Sequence, residues 1–152
     1  MVDQKIIEVC RDPKGWNSPI FCVRKKNGDV RIVANFKPTL NRELTAVDPY
    51  PVPDMQKLIT HIGSGNNYFA VLDLRQGFWQ IQIKPEDRHV TAFCYKGVTY
   101  QYTKLSMGLT SAGSIFSRCV SEAFERVGGE VRQNLCTYID DNMFLKCFVR
   151  QD

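Results

Sequence analysis

Histidine is scarce in this 152-residue chain: only His61 and His89 accompany six cysteines, and no Cys-x-x-Cys pair brings two thiols together. That spacing argues against a structural zinc site, which needs clustered thiolate and imidazole ligands. Also missing are an amino-terminal signal segment and any apolar run near the roughly 20 residues that span a bilayer. The expectation is an intracellular, cytoplasmic chain with no membrane partner, whose cysteines are mostly small core residues. There is no internal repeat. With 43% hydrophobic residues, the chain is not disordered, and as one domain-sized unit it can bury roughly 70% of its unfolded surface.

Charge of one sign is only slightly in excess, at a formal +4, but it is unevenly placed. Residues 1–45 hold nine Lys or Arg against five acids, while residues 46–152 hold eleven of each. Charge alone describes an ordinary solvated surface. Beside clustered aspartates, a basic amino-terminal stretch also suits a phosphate-bearing partner, because Lys and Arg displace counterions from nucleic acid.

What is present is a succession of short elements. Ile20 to Val23 and Val30 to Val33 read as strands joined through a turn at Asn27-Gly28-Asp29. Pro49-Tyr50-Pro51-Val52-Pro53 is a stiff linker, after which Asp54 caps a helix that ends near Ile62-Gly63. Tyr68 to Leu74 reads as a buried strand with Asp73 near its end, and Gln80 to Lys84 alternates as a strand. Thr91 to Tyr95 and Val98 to Thr103 form a hairpin turning at Lys96-Gly97. Ile115, Phe116, Cys119, Val120, Ala123, Phe124 and Val127 recur at helical spacing, with Ser111 as a cap and Gly128-Gly129 as the stop. This order predicts an α+β fold, an antiparallel sheet with helices packed on one face.

The acidic residues carry the chemistry. Cys136 to Ile139 and Met143 to Leu145 are two apolar runs separated by Asp140-Asp141-Asn142, which reads as a hairpin turn. An Asp-Asp pair in a hairpin is most often a solvated turn. Asp73, however, lies 67 residues upstream of Asp140 at the end of another apolar strand. Three carboxylates on two strands form an all-oxygen set suited to magnesium, and two such ions would clamp the oxygens of a phosphoryl transfer.

These residues also carry a family resemblance. Leu72-Asp73-Leu74-Arg75-Gln76-Gly77-Phe78-Trp79-Gln80-Ile81 resembles motif A of reverse transcriptases, Leu105-Ser106-Met107-Gly108-Leu109 through Phe116 resembles motif B, and Tyr138-Ile139-Asp140-Asp141 resembles motif C. Upstream, Trp16-Asn17-Ser18-Pro19, Val23 to Gly28, Arg31 and Leu40-Asn41 are similar to the fingers of polymerases from gypsy-type LTR retrotransposons and retroviruses. The resemblance covers about residues 16–148. It implies a fingers portion in residues 1–48 and a palm, with part of the fingers, in residues 49–152.

The resemblance implies an RNA-directed DNA polymerase that adds deoxynucleotides to a primer 3′-hydroxyl. Asp73 and Asp140 would be the principal ligands of two magnesium ions and Asp141 an additional acidic ligand, with manganese as a substitute. Lys25, Arg31, Arg75, Gln76, Phe78 and Met107 would bind the incoming nucleoside triphosphate, Phe78 as the aromatic gate against a ribose 2′-hydroxyl. Gln80, Gly108 and Tyr138 would border an RNA or DNA template and its primer. Asn35-Phe36-Lys37 departs from the family's Asp-Tyr-Arg or Asp-Phe-Arg, and Ser106, Met107 and Gly113 depart from its usual motif B. The chain runs eleven residues past Asp141, so a fragment of a retroelement polyprotein is expected, without a thumb and with an exposed apolar palm sheet prone to self-association. The alternative is a catalytically inactive remnant that at most binds nucleic acid.

Overall fold

The computed structural model describes residues 1–24, 26–43, 49–51, 54–63, 65–127, 129, 134–139 and 141–146, without the side chains of Val127 and Lys146. In chain order the elements are β1 (Ile7–Val9), β2 (Ile20–Arg24), β3 (Val30–Ala34), α1 (Leu40–Glu43), α2 (Met55–Ile62), β4 (Tyr68–Asp73), β5 (Phe93–Tyr95), β6 (Val98–Tyr102), α3 (Ala112–Val127), β7 (Leu135–Tyr138) and β8 (Asp141–Lys146). Two 3-10 helices, Gly77–Gln80 and Pro85–Thr91, lie between β4 and β5. Among the described residues every strand pair is antiparallel, and the strands form three sheets: β1-β6-β5, β2-β3 and β4-β8-β7. The expected α+β class with antiparallel pairing is what the chain adopts. Among the described residues no helix is long and apolar enough to cross a membrane.

The backbone gathers into two compact units, Met1–Val47 with Phe78–Ala112, and Asp48–Gly77 with Gly113–Asp152. In the first, Ile6, Ile7, Ala34, Phe36, Leu40, Phe93 and Tyr102 form the buried core. The Tyr102 ring meets Phe93 at 5.5 Å and Phe36 edge-on at 6.3 Å. Each such buried side chain stabilises by roughly 1.5–3 kcal/mol. Burial pushes the Tyr102 phenol up from its ordinary value, an effect partly offset by a hydrogen bond with Ser106. The hairpin turn at Lys96-Gly97 is as expected, with both residues at positive φ (50° and 77°) as a two-residue connection requires. The β2-β3 turn is held by Asn27, whose amide donates to Asp29 Oδ2 at 2.8 Å.

Three expectations need correction. Gln80 to Lys84 is not a strand: Gln80 closes a 3-10 helix, and pairing is limited to the single bridge Gln82↔Lys104. Pro85 follows at once and begins the next 3-10 helix, and it has no N–H to extend a ladder. The second concerns the thiols. Cys10 and Cys136 are buried, but Cys22 and Cys94 are exposed and Cys119 is half-buried: β2 is exposed on both faces from Phe21 to Arg24, Cys94 lies on a short strand whose next residue is also exposed, and Cys119 is on α3 beside the buried Val120; Cys147 lies outside the described residues.

The third correction is β4, read as a buried strand. All six of its residues are exposed, with Tyr68 at 60%, Phe69 at 53%, Val71 at 65% and Leu72 at 47%. It is the edge of its sheet, so one row of backbone groups and both faces are left open. α2 begins and ends as expected: Asp54 accepts from the amides of Gln56 and Lys57, and Gly63 caps the far end. On α3, Ala112, Phe116 and Val120 are buried at intervals of four, while Ala123 is exposed. The expected stop at Gly128 and the linker residues Val52 and Pro53 lie outside the described residues.

Two predictions follow from burial. The apolar edge of β4 should associate with itself. Light scattering should then show an apparent mass that rises with concentration and falls in Val71→Lys, and a monodisperse monomer at all concentrations would refute it. Desolvation raises the Cys10 and Cys136 thiols above their ordinary value, so less thiolate exists at any given pH. Iodoacetamide near pH 8 should therefore modify Cys22 and Cys94 first, and Cys10 and Cys136 slower by roughly an order of magnitude or more. Equal rates at Cys136 and Cys22 would contradict the burial argument.

Candidate active site

In the second unit, register places the acidic residues. Asp73, the last residue of β4, is the cross-strand partner of Asp141, the first residue of β8, and Asp141 in turn pairs with Tyr138. Partners across strands share a face, so Asp73, Asp141 and Tyr138 form one row at the end of the sheet. Both carboxylates are exposed. The next row, Leu72, Asn142 and Thr137, belongs to the opposite face. There Asn142 is 1% exposed, and the Thr137 hydroxyl donates to its Oδ1 at 3.1 Å. A buried amide that accepts from its cross-strand neighbour resists a slip of one residue between β7 and β8, since a slip would break that bond.

The turn itself is not Asp140-Asp141-Asn142. Because Tyr138 pairs with Asp141, the connection comprises only Ile139 and Asp140, and Asp141 and Asn142 already belong to β8. The burial of Asn142 against Thr137 decides this, since it draws a turn-prone residue into the ladder. Ile139 takes φ 55°, a left-handed conformation that costs a β-branched residue on the order of 1–3 kcal/mol. Gln76, in the turn after Asp73, also has φ 55°. Asp140 itself lies outside the described residues.

Gly77 fits closely in that unit. A Cβ there would stand 2.7 Å from Cζ of the buried Phe116 ring of α3. The turn that carries Arg75 and Gln76, both exposed, thus rests on the helix through a residue without a side chain.

The first unit holds a second group of candidates. Arg31 on β3 approaches Met107, with Nη1 3.8 Å from Sδ. The loop that carries Met107 and Gly108 is fixed by Asn41 of α1, which donates to the Gly108 carbonyl at 2.7 Å and accepts from the Thr110 amide at 3.0 Å. Gly108 has φ 101°, and a Cβ there would come within 3.0 Å of the Ala34 carbonyl. Only glycine suits this position. Phe78 is half-buried and Gln80 exposed in the 3-10 helix. Lys25 lies outside the described residues. Sequence reasoning gave Asn41 no role, though the Leu40-Asn41 pair was a visible signal.

The geometry can be set beside known proteins. A family model described as reverse transcriptase (RNA-dependent DNA polymerase) matches residues 23–147. This chain belongs to the reverse transcriptase family. It is 34% identical over 142 residues to the retrovirus-related Pol polyprotein from transposon gypsy of Drosophila melanogaster, a match covering 90% of this chain and 13% of that protein. Against the enzymatic polyprotein of cauliflower mosaic virus (strain Strasbourg) it is 35% identical over 145 residues, covering 93% of this chain and 20% of the other. The foamy viral protease-reverse transcriptase in complex with RNA/DNA hybrid shares the fold, with a TM-score of 0.80 at 22% identity, over 97% of this chain and 19% of that one. The chain thus spans 13% to 20% of the length of these relatives. The gypsy-type resemblance read from the motifs is borne out, and with it the resemblance to nucleotidyltransferases of the reverse transcriptase type.

Reverse transcriptases generally use divalent metals. The residues here fit one. Asp73 and Asp141 offer hard oxygen donors from opposed positions, and among the described residues no cationic side chain pairs with either. Two like charges directly opposed repel, which a bound divalent cation would reverse. Among the described residues no cluster of three or more acidic, histidine or cysteine side chains occurs. The third candidate ligand, Asp140, is not among them.

Gly77→Ala tests the close approach. Its Cβ should force the Phe116 ring aside and cost about 1–3 kcal/mol, measured as a lowered urea midpoint. Phe116→Leu in the same chain should recover part of that loss. No recovery would show that the ring is not the obstacle.

Proposed function

We propose that this chain is the catalytic core of an RNA-directed DNA polymerase, extending a primer 3′-hydroxyl on an RNA or DNA template. The observation that carries the reading is the register of β4 and β8, which sets Asp73 directly opposite Asp141 in a member of the reverse transcriptase family. In this reading residues 1–48 are a fingers portion, and residues 49–152 are palm with part of the fingers. The clustering of residues 78–112 with the amino-terminal stretch supports that division.

Asp73 and Asp140, with Asp141 as an additional acidic ligand, would hold divalent magnesium, for which manganese could substitute. When bound, two such ions lower the pKa of the primer hydroxyl and neutralise charge on the triphosphate. The protein's own part is positional. The paired strands keep the carboxylates on one face, and Tyr138, in the same row, borders the primer. Arg31 and Lys25 bind the triphosphate; a guanidinium fork offers parallel donors to phosphate oxygens. The backbone amides of Arg75 and Gln76 lie along the same phosphates. Met107 flanks the nucleotide, Gly108 and Gln80 the template, and Phe78 obstructs a ribose 2′-hydroxyl. The partners are a primed template, deoxynucleoside triphosphates and the remainder of a retroelement polyprotein. The foamy viral relative, solved with an RNA/DNA hybrid, supports the template class.

The test is magnesium-dependent extension of a DNA primer on an RNA template. Asp73→Asn, Asp140→Asn and Asp141→Asn are each expected to lower the rate by about a thousandfold or more, since each removes several kcal/mol of charge stabilisation. Water-proton relaxation with manganese should show weakened metal binding in the same variants. Extension that persists in Asp73→Asn would overturn the assignment. Metal binding without any extension by the parent would favour the inactive remnant.

A further inference from the structure

Three contacts lead from the aromatic core of the first unit out to Arg31, and Ser106 stands in the middle of them. The buried Tyr102 phenol is hydrogen-bonded with the Ser106 hydroxyl. Ser106, itself 3% exposed, donates through Oγ to the Met107 carbonyl at 3.1 Å. A hydroxyl has one proton and two lone pairs, so it can donate to that carbonyl and accept from the phenol at once. Met107 in turn sets its Sδ 3.8 Å from Arg31 Nη1. A crevice of only about 20 Å³, room for roughly one water, lies among Arg31, Trp79, Tyr102, Ser106 and Met107. Satisfying a buried phenol would require nothing of the loop. Ser106 also bonds the loop, at a point its neighbours leave open: the Leu105 amide donates to the Ile81 carbonyl at 2.9 Å, Asn41 takes the Gly108 carbonyl, and Ser106 takes the Met107 carbonyl between them.

We propose that Ser106 is a positioning residue for the triphosphate of an incoming nucleotide: through the Met107 carbonyl it couples the exposed loop to the buried Tyr102, and so confines the guanidinium of Arg31. This rests on the reading in which Arg31 binds the triphosphate. A thioether is a weak acceptor, so Met107 restrains the guanidinium by packing, and packing restrains only while the loop that carries it stays in place. A guanidinium already confined loses less freedom when phosphate oxygens arrive, which is where the affinity comes from. Ser106 itself touches no phosphate in this scheme and acts through its two neighbours.

The test uses the whole chain, its methionine methyls labelled with carbon-13 for NMR, and dATP with magnesium titrated by calorimetry. Ser106→Ala should shift or broaden the Met107 methyl signal, leave that of Met55 on α2 of the other unit in place, and weaken dATP binding about two- to tenfold. Manganese binding, given above to carboxylates of the second unit, should not change. On an Arg31→Ala background Ser106→Ala should weaken dATP binding no further, because a residue that acts through the guanidinium has no effect once it is gone. Tyr102→Phe combined with Ser106→Ala removes both hydroxyls and strands neither, so the chain should fold and show the same weakened affinity. The proposal is overturned by an unmoved Met107 methyl in Ser106→Ala, by unaltered dATP affinity, by an equal loss of manganese binding, or by losses that add to those of Arg31→Ala. No dATP binding by the parent, or binding that Arg31→Ala leaves intact, would overturn the reading of Arg31 and this role with it, and either is visible before Ser106 is altered.

Discussion

A shift of one residue between β4 and β8 would turn Asp73 and Asp141 to opposite faces of their sheet, and everything proposed for the acidic site depends on that shift not happening. Six consecutive cross-strand pairs, from Tyr68↔Lys146 to Asp73↔Asp141, set the register. Apolar patterning alone holds it weakly, because β4 is exposed on both faces and would lose little burial by slipping. The polar pair Thr137 and Asn142 acts on the other side of β8: its bond fits one β7-β8 register only, the one that makes Asp141 the first residue of the strand.

The same logic recurs in the first unit with different chemistry. There a loop, rather than a strand end, carries the candidate residues Met107 and Gly108. A loop has no ladder to fix it, and a side chain does the work: Asn41 bonds the loop at two points, and the close approach of Gly108 to the Ala34 carbonyl leaves no room for a side chain. Behind it, Phe36, Phe93 and Tyr102 supply a rigid aromatic base. A site built on packed elements is held more closely than one on free loops. The departure of Met107 from the family's usual residue brings a thioether beside Arg31, which packs but does not orient the guanidinium as a stronger acceptor would.

β4 shows a local conflict between composition and exposure. A run of Tyr, Phe, Ala, Val and Leu at an open edge is costly in water and invites pairing with another strand. Its last residue is one of the two opposed carboxylates, so the strand cannot be made shorter without moving Asp73. Left-handed backbone at Gln76 and Ile139 belongs to the same end of the sheet. Strain of this kind persists where the surrounding structure over-determines it, as it does at reactive sites.

Much was legible in the residues themselves. Strand and helix periods located the β2-β3 and β5-β6 hairpins, α2 with its Asp54 cap, and α3, because local chemistry of turns and caps acts within a few residues. The order of the acidic and glycine-bearing motifs identified the family. Burial was another matter. Tyr68 to Leu72 has the composition of a buried strand and lies exposed at an edge, because burial depends on what packs above a strand, and local sequence does not state that. Gln80 to Lys84 has the alternation of a strand and yields a single bridge, because the partner ladder and Pro85 allow no more. The chain's order of residues determined which carboxylates exist and which family they mark. Only the tertiary structure decided that Asp141 lies in a strand opposite Asp73, since cross-strand register is a long-range choice: the Thr137–Asn142 bond fits one β7-β8 register, and the six β4-β8 pairs set Asp73 across from Asp141.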